Sequence, residues 1–165
     1  MGRLLISVKP AEAADQSFLQ AMNWQAVLAS PGLIEEYGLE KLQQQEDDFW
    51  AGWDIRESPA FIAYDESGQP LGGIVLKNHD KSQVPVQGWR FGIGVAEAAR
   101  GKGVGRSLIE YSLEFARQSG ANYLTLFVDP ANRPAASLYT TLGFQPVRKF
   151  GSLIEMRLNF QNQQV

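Results

Sequence analysis

The run Val95-Ala96-Glu97-Ala98-Ala99-Arg100-Gly101-Lys102-Gly103-Val104-Gly105-Arg106-Ser107-Leu108 constrains the fold more than any other part of the chain. Upstream, Trp89 to Val95 has the aromatic and β-branched content of a strand. Downstream, Val104, Leu108, Tyr111 and Phe115 recur at helical spacing. The glycines therefore fall at a helix N-terminus, where the first backbone N–H groups lack intrahelical partners and the macrodipole places roughly half a positive charge. Such an end stabilises an anion, and glycines at 101, 103 and 105 let phosphates approach without a Cβ in the way. The segment reads as a pyrophosphate cradle. A tight turn that uses glycine only for its backbone freedom is the plainer alternative.

Two common phosphate loops are excluded. A nucleoside-triphosphate loop needs Gly-Lys followed by Ser or Thr, and Lys102 is followed by Gly103. A dinucleotide fingerprint needs glycine at the sixth position counted from Gly101, which is Arg106.

A second element follows the strand-like Tyr123 to Val128: Asn132-Arg133-Pro134-Ala135-Ala136-Ser137-Leu138-Tyr139-Thr140-Thr141-Leu142-Gly143-Phe144. Arg100-Gly101-Lys102-Gly103-Val104-Gly105 resembles the R-x-x-G-x-G motif of the GNAT superfamily of acetyl-CoA-dependent N-acetyltransferases. The later run is similar to that family's N-x-x-A-x-x-L-Y-x-x-x-G-F element, matched at Asn132, Ala135, Leu138, Tyr139, Gly143 and Phe144. The resemblance is tight from about residue 89 to 146 and loose before it.

Composition adds limits. A length of 165 residues gives an expectation of one domain with a continuous core. Without cysteine, neither disulfides nor an acyl-cysteine intermediate is available, so acyl transfer would have to be direct. No apolar run approaches the roughly 18 residues that span a bilayer, and the apolar stretch after Met1-Gly2-Arg3 is too short for a signal peptide, so a soluble cytoplasmic protein is expected. A net charge of -3 without a basic run argues against nucleic acid and gives no sign of a membrane partner. His79, the one histidine, cannot make a metal site alone, and no metal is expected.

The elements read along the chain as a strand from Leu4 to Val8 ended by Lys9-Pro10, and a helix with Phe18, Leu19, Met22 and Ala26 on one face. A second helix is expected from about Leu33 to Phe49. Strands follow at Ala60 to Tyr64 and Leu71 to Leu76, joined by a hairpin turn at Asp65 to Gln69. After a polar loop from Asn78 to Gln87 and the two motifs, strands come at Pro146 to Phe150 and Ser152 to Leu158. The order is that of a mixed α/β chain. The GNAT resemblance implies a mostly antiparallel sheet of six to seven strands, flanked by about four helices, with splayed central strands.

The resemblance also implies roles. The strand before the cradle would be bulged, and Gly92 and Gly94 around Ile93 mark such a bulge or a close backbone approach. The backbone of Ile93 and Val95 would meet the pantetheine arm of acetyl-CoA, and the N–H groups of Gly101, Lys102, Gly103, Val104, Gly105 and Arg106 its pyrophosphate, with Arg100, Lys102 and Arg106 as compensating charge. Ala135 belongs to the same binding element. Asn132 is either a plain helix cap or part of this site. Tyr139 is either core or, by the family match, the hydroxyl that protonates the leaving thiolate or donates a hydrogen bond to it.

A neutral amine is needed for attack, and at a pKa of about 10.4 only about one part in a few thousand is neutral at pH 7. Many relatives supply a glutamate from the strand before the cradle, but Trp89 to Val95 has no carboxylate. The general base is open among a water relay, Asp54, Glu57 and Asp129. Glu35, Glu36, Glu40, Glu46, Asp47, Asp48, Asp54 and Glu57, interleaved with Phe49, Trp50 and Trp53, either suit a cationic amine or form an ordinary solvated face. The expected activity is transfer of acetyl from acetyl-CoA to a small-molecule or peptide amine, with a homodimer left open. A non-catalytic acyl-CoA-binding sensor is the alternative.

Overall fold

Strand-forming segments rich in Val, Ile and Phe alternate with amphipathic helices, and the computed structural model, which describes residues 4–78, 80 and 86–160, arranges them as a seven-stranded sheet among the described residues. The elements are β1 (Ser7–Pro10), α1 (Gln16–Leu28), α2 (Pro31–Tyr37), α3 (Leu39–Ala51), β2 (Ala60–Tyr64), β3 (Pro70–Lys77), β4 (Gly88–Val95), α4 (Val104–Gln118), β5 (Tyr123–Val128), α5 (Arg133–Thr141), β6 (Gln145–Phe150) and β7 (Leu153–Asn159). The strand order is β1-β2-β3-β4-β5-β7-β6. Among the described residues only β4 and β5 pair in parallel. That pair is joined through α4, as a parallel connection requires.

Side-chain alternation sorts the two faces. Phe61, Ala63, Ile74, Leu76, Trp89, Phe91, Leu124 and Leu126 pack with Leu108, Ile109, Leu113 of α4 and with Tyr139 and Phe144. On the other face Ala60, Ile62 and Val75 pack with Leu19 of α1 and Trp50 of α3. The stripe expected on α4 holds: Val104 and Leu108 are buried, while Tyr111 and Phe115 lie against Phe61 at 4.8 and 5.3 Å between ring centroids.

Three expectations are corrected. The first strand is displaced to Ser7–Pro10, with Pro10 inside it, because β1 is an edge strand and its proline needs no second ladder partner. The helix from Leu33 to Phe49 is two helices, giving five among the described residues. Gly38 breaks it with φ 81°, a left-handed conformation that caps α2 and starts α3. The bulge in β4 is absent: its register with β3 runs unbroken from Lys77↔Arg90 to Gly72↔Val95.

Gly92 and Gly94 serve close approach instead. A Cβ at 94 would collide with the carbonyl oxygen of Met22 on α1, and one at 92 would lie 2.7 Å from Asn23 Oδ1. His79 and most of the loop from Asn78 to Gln87 lie outside the described residues.

Seating α1 on β4 depends on these two positions. Gly94→Ala is expected to destabilise the protein by about 1–3 kcal/mol or more, as overpacking does, and chemical denaturation measures it.

Candidate functional site

Pairing between β4 and β5 stops after Gly88↔Tyr123, Trp89↔Leu124 and Arg90↔Thr125. From Phe91 onward the two strands diverge, β4 staying on β3 and β5 on β7. Beside this gap lies a cavity of about 450 Å³, lined by Ile93, Gly94 and Val95 of β4, the glycine loop and first turn of α4, Asn132, Pro134, Ala135, Leu138 and Tyr139 at and around α5, and Gln25, Ala26 and Ala29 at the end of α1. Every residue expected to bind acetyl-CoA lines it except Lys102, which is exposed on the loop.

The loop has the shape that its glycines allow. Gly101 and Gly103 have φ 74° and 87°, and Gly103 is the N-cap of α4, so left-handed backbone at both positions turns the chain into the helix. Gly105 is helical, and a Cβ there would sit 3.4 Å from Leu138 on α5. The first turn of α4 lines the cavity, and its N-cap Gly103 makes no side-chain cap hydrogen bond.

The charged residues of the loop are partly engaged. Arg100 Nε donates to the Val95 carbonyl at 3.2 Å and its Nη2 to Gln25 Oε1 at 3.2 Å, tying loop, strand and α1 together. Arg106 pairs with Glu110 at 3.0 Å on the surface. Gln25 was not foreseen, since nothing in a helix sequence says which polar residue meets a loop 75 positions away.

Asn132 does cap α5: its Oδ1 accepts from the Ala135 N–H at 3.4 Å. Tyr139 is 7% exposed, packed edge-on against Phe91 and Phe144 at 5.8 and 6.1 Å. Its hydroxyl makes no hydrogen bond among the described residues. Burial pushes the phenol up from its ordinary range, so it stays protonated and keeps a proton to donate.

The carboxylates weighed as bases lie elsewhere or are occupied. Asp129 is buried, its Oδ2 accepting from the Gly32 N–H at 2.7 Å and its Oδ1 from Ala131 N–H at 2.9 Å, so it anchors the start of α2 to the end of β5. Asp54 and Glu57 line a second cavity of about 580 Å³ beside Trp89, at the opposite end of β4 from Ile93. Asp54 is paired with Arg56 at 3.0 Å, and hydrogen bonds from that residue hold its carboxyl below the usual range.

On α3, Glu46 accepts from Trp50 Nε1, Asp47 from Gln20 and Gln43, and Asp48 from Gln44. Trp50 is core, and Phe49 and Trp53 pack against it. Among the described residues no group of three or more His, Asp or Glu could hold a metal, and no helix is long and apolar enough to cross a membrane.

The sequence model of the acetyltransferase (GNAT) family matches residues 24–144. The chain belongs to this family. It is similar to the mycothiol acetyltransferase of Thermobifida fusca (strain YX), 36% identical over 112 residues that make up 65% of this chain and 33% of that protein. It is also similar to the streptothricin acetyltransferase of Streptomyces lavendulae, 46% identical over 52 residues, 32% of this chain and 28% of that protein. The chain spans about a third of the length of these curated relatives.

Solved structures share the fold. The spermidine N-acetyltransferase of Vibrio cholerae in complex with CoA and spermine superposes with TM-score 0.68 at 18% identity, covering 93% of this chain and 95% of that one. The ribosomal-protein-alanine N-acetyltransferase of Brucella melitensis gives TM-score 0.68 at 23% identity, covering 93% and 99%. The family uses acetyl-CoA, and the splayed strands and glycine loop of this member form its candidate donor site.

Gly105→Asp tests that site without straining the backbone. The carboxylate is favourable in the first turn of α4 yet repels a bound pyrophosphate. Coenzyme A affinity is expected to fall about tenfold or more by calorimetric titration, with the melting temperature unchanged.

Proposed function

We propose that this chain is a single N-acetyltransferase domain that moves acetyl from acetyl-CoA directly to an amine, with no acyl-enzyme. The observation that carries the reading is the cavity at the β4–β5 gap, which joins an anion-binding helix end to a buried tyrosine hydroxyl. The donor supplies an activated thioester when bound.

In this reading the N–H groups from Gly101 to Arg106 hold the pyrophosphate. The edge of β4 at Ile93 and Val95, which has no strand partner on its β5 side, lies along the pantetheine arm. That wall is the uncharged run Ile93-Gly94-Val95, which suits an extended arm that pairs as a strand would. The absence of cysteine supports direct transfer.

Proton bookkeeping follows from the reaction. The acceptor ammonium sheds one proton to water, the neutral nitrogen forms the C–N bond as the C–S bond breaks, and a second proton leaves nitrogen and ends on the thiolate. Tyr139 donates a hydrogen bond to the sulfur as its charge grows. Full transfer from the phenol is uphill, since burial raises a pKa of about 10 against about 8.5 for a simple thiol. The engaged state of Asp129 and the distance of Asp54 and Glu57 along β4 favour water as the first proton acceptor. A soluble cytoplasmic setting fits a freely diffusing donor.

Tyr139→Phe keeps the ring against Phe91 and Phe144 and removes only the hydroxyl. With an acceptor amine and thiol release as the readout, kcat is expected to fall roughly 10- to 1000-fold with coenzyme A affinity and melting temperature nearly unchanged. Wild-type turnover in the variant, with thioester chemistry rate-limiting, makes Tyr139 structural. Coenzyme A binding without acetylation of any amine points instead to the acyl-CoA-binding sensor.

A further inference from the structure

The sheet face opposite Tyr139 carries an unbalanced line of positive charge. Lys77, Arg90, Thr125 and Arg157 are direct cross-strand neighbours on β3, β4, β5 and β7. Arg148 on β6 joins them. Like charges directly opposite one another, as Lys77 and Arg90 are, destabilise a sheet.

Glu155 is the counter-ion within this group, and it is fully used. It is 3% exposed, its Oε1 accepting from Arg148 at 2.7 Å and its Oε2 from Thr125 Oγ1 at 2.8 Å and Arg157 Nη2 at 3.3 Å. Burial pushes its carboxyl up, but these hydrogen bonds outweigh that and keep it ionised. Lys77 lies over the Phe49 ring at 4.0 Å with Glu46 as its nearest compensating charge.

Arg90 feels Glu155 as its attractive charge but shares no hydrogen bond with it. It makes no hydrogen bond among the described residues, and its Nε, like that of Arg157, is buried and unsatisfied. Its guanidinium lies 4.4 Å over the ring of Phe127, which stacks in turn on Phe150. A stacked guanidinium leaves the N–H groups around its edge free to meet a planar bidentate acceptor. A half-buried cation with no such acceptor is costly, and an anion brought by a ligand removes that cost.

Its position says which ligand. Arg90 is the last residue of β4 paired with β5, so it stands at the closed end of the gap, about 10 Å along the strand from Ile93. Phe91, the next residue, points to the other face, where it packs on Tyr139. On the Arg90 face α1 covers Gly92 and Gly94, and the Arg90 guanidinium extends over Phe127 of β5, beyond the last β4–β5 pair, so it borders the gap from the face opposite Tyr139.

We propose that the acceptor amine carries a carboxylate, and that Arg90, backed by Arg157, binds this carboxylate so as to hold the nitrogen at the closed end of the β4–β5 gap. The proposal rests on the acetyltransferase reading above. It assigns the acceptor to zwitterionic or anionic amines rather than to the cationic ones that the acidic run around α3 brings to mind.

The test compares amino acids and ω-amino carboxylates with their carboxamides, a phosphonate analogue and spermidine, using acetyl-CoA and thiol release. Wild type is expected to favour each acid over its amide about tenfold or more in kcat/KM, and over the phosphonate. Arg90→Gln is expected to raise KM for the acid about 10- to 100-fold and bring the acid-to-amide ratio near one, with coenzyme A affinity unchanged. Arg90→Lys, which keeps charge but loses the fork, falls between.

The melting temperature of Arg90→Gln is expected to hold or rise, where an arginine with a structural role would lower it. Equal or better turnover of amides, phosphonate or spermidine overturns the proposal, as does an acid preference that survives Arg90→Gln. Tight coenzyme A binding with no acetylation of any carboxylate-bearing amine also overturns it and leaves the cradle standing. Loss of coenzyme A binding in wild type removes the acetyltransferase reading itself.

Discussion

The divergence of β4 from β5 is the constraint on which the rest of this structure depends. A parallel pair that continued beyond Arg90↔Thr125 would close the sheet and leave no gap. Instead each strand keeps its outer partner, so one edge of each is left without a ladder there, and on β4 that edge, from Ile93 to Val95, lines the cavity. The helices hold this geometry from both faces. Tyr139 and Phe144 wedge against Phe91 on one side, and α1 lies on Gly92 and Gly94 on the other.

Family membership and chemistry meet at this gap. The glycine loop, the N-terminus of α4 and the buried hydroxyl of Tyr139 are all carried by elements next to the divergence. A helix end supplies directed donors without a side chain, which explains how a chain with a net charge of -3 and no basic run can offer an anion site at the loop. Arg100 contributes by fixing the loop through Val95 and Gln25 as much as by its charge.

What the sequence makes legible is local chemistry. Gly101 and Gly103 could be read because a left-handed backbone demands glycine at that very residue. The hairpin at Asp65 to Gln69 was equally local, with Asp65 accepting from Ser67 and Gln69. Gly92 and Gly94 were ambiguous, since a bulge and a close helix select the same residue type. Gly38 hid inside a helical pattern because periodicity persists across a break.

Least visible was the line from Lys77 through Arg90 to Arg157. It exists only once the register of four strands is known, and no spacing along the chain encodes it. The engagement of Asp129 was hidden for the same kind of reason: its hydrogen-bond partner Gly32 is 97 residues away.

The short helix α2 has a mechanical meaning. Its first turn is held by Asp129 at the end of β5 and its last turn by Glu36, which accepts from the backbone N–H and the hydroxyl of Ser152 in the β6–β7 turn. It thus spans two strand ends like a strap across an open hand, stiffest at the buried carboxylate, where a charge-assisted bond is worth about 1.5–3 kcal/mol. Widening of that end of the sheet has to release this anchor first, so breathing motions there are rarer than fraying of the fully exposed β6 edge, and amide exchange at Gly32 reports the opening.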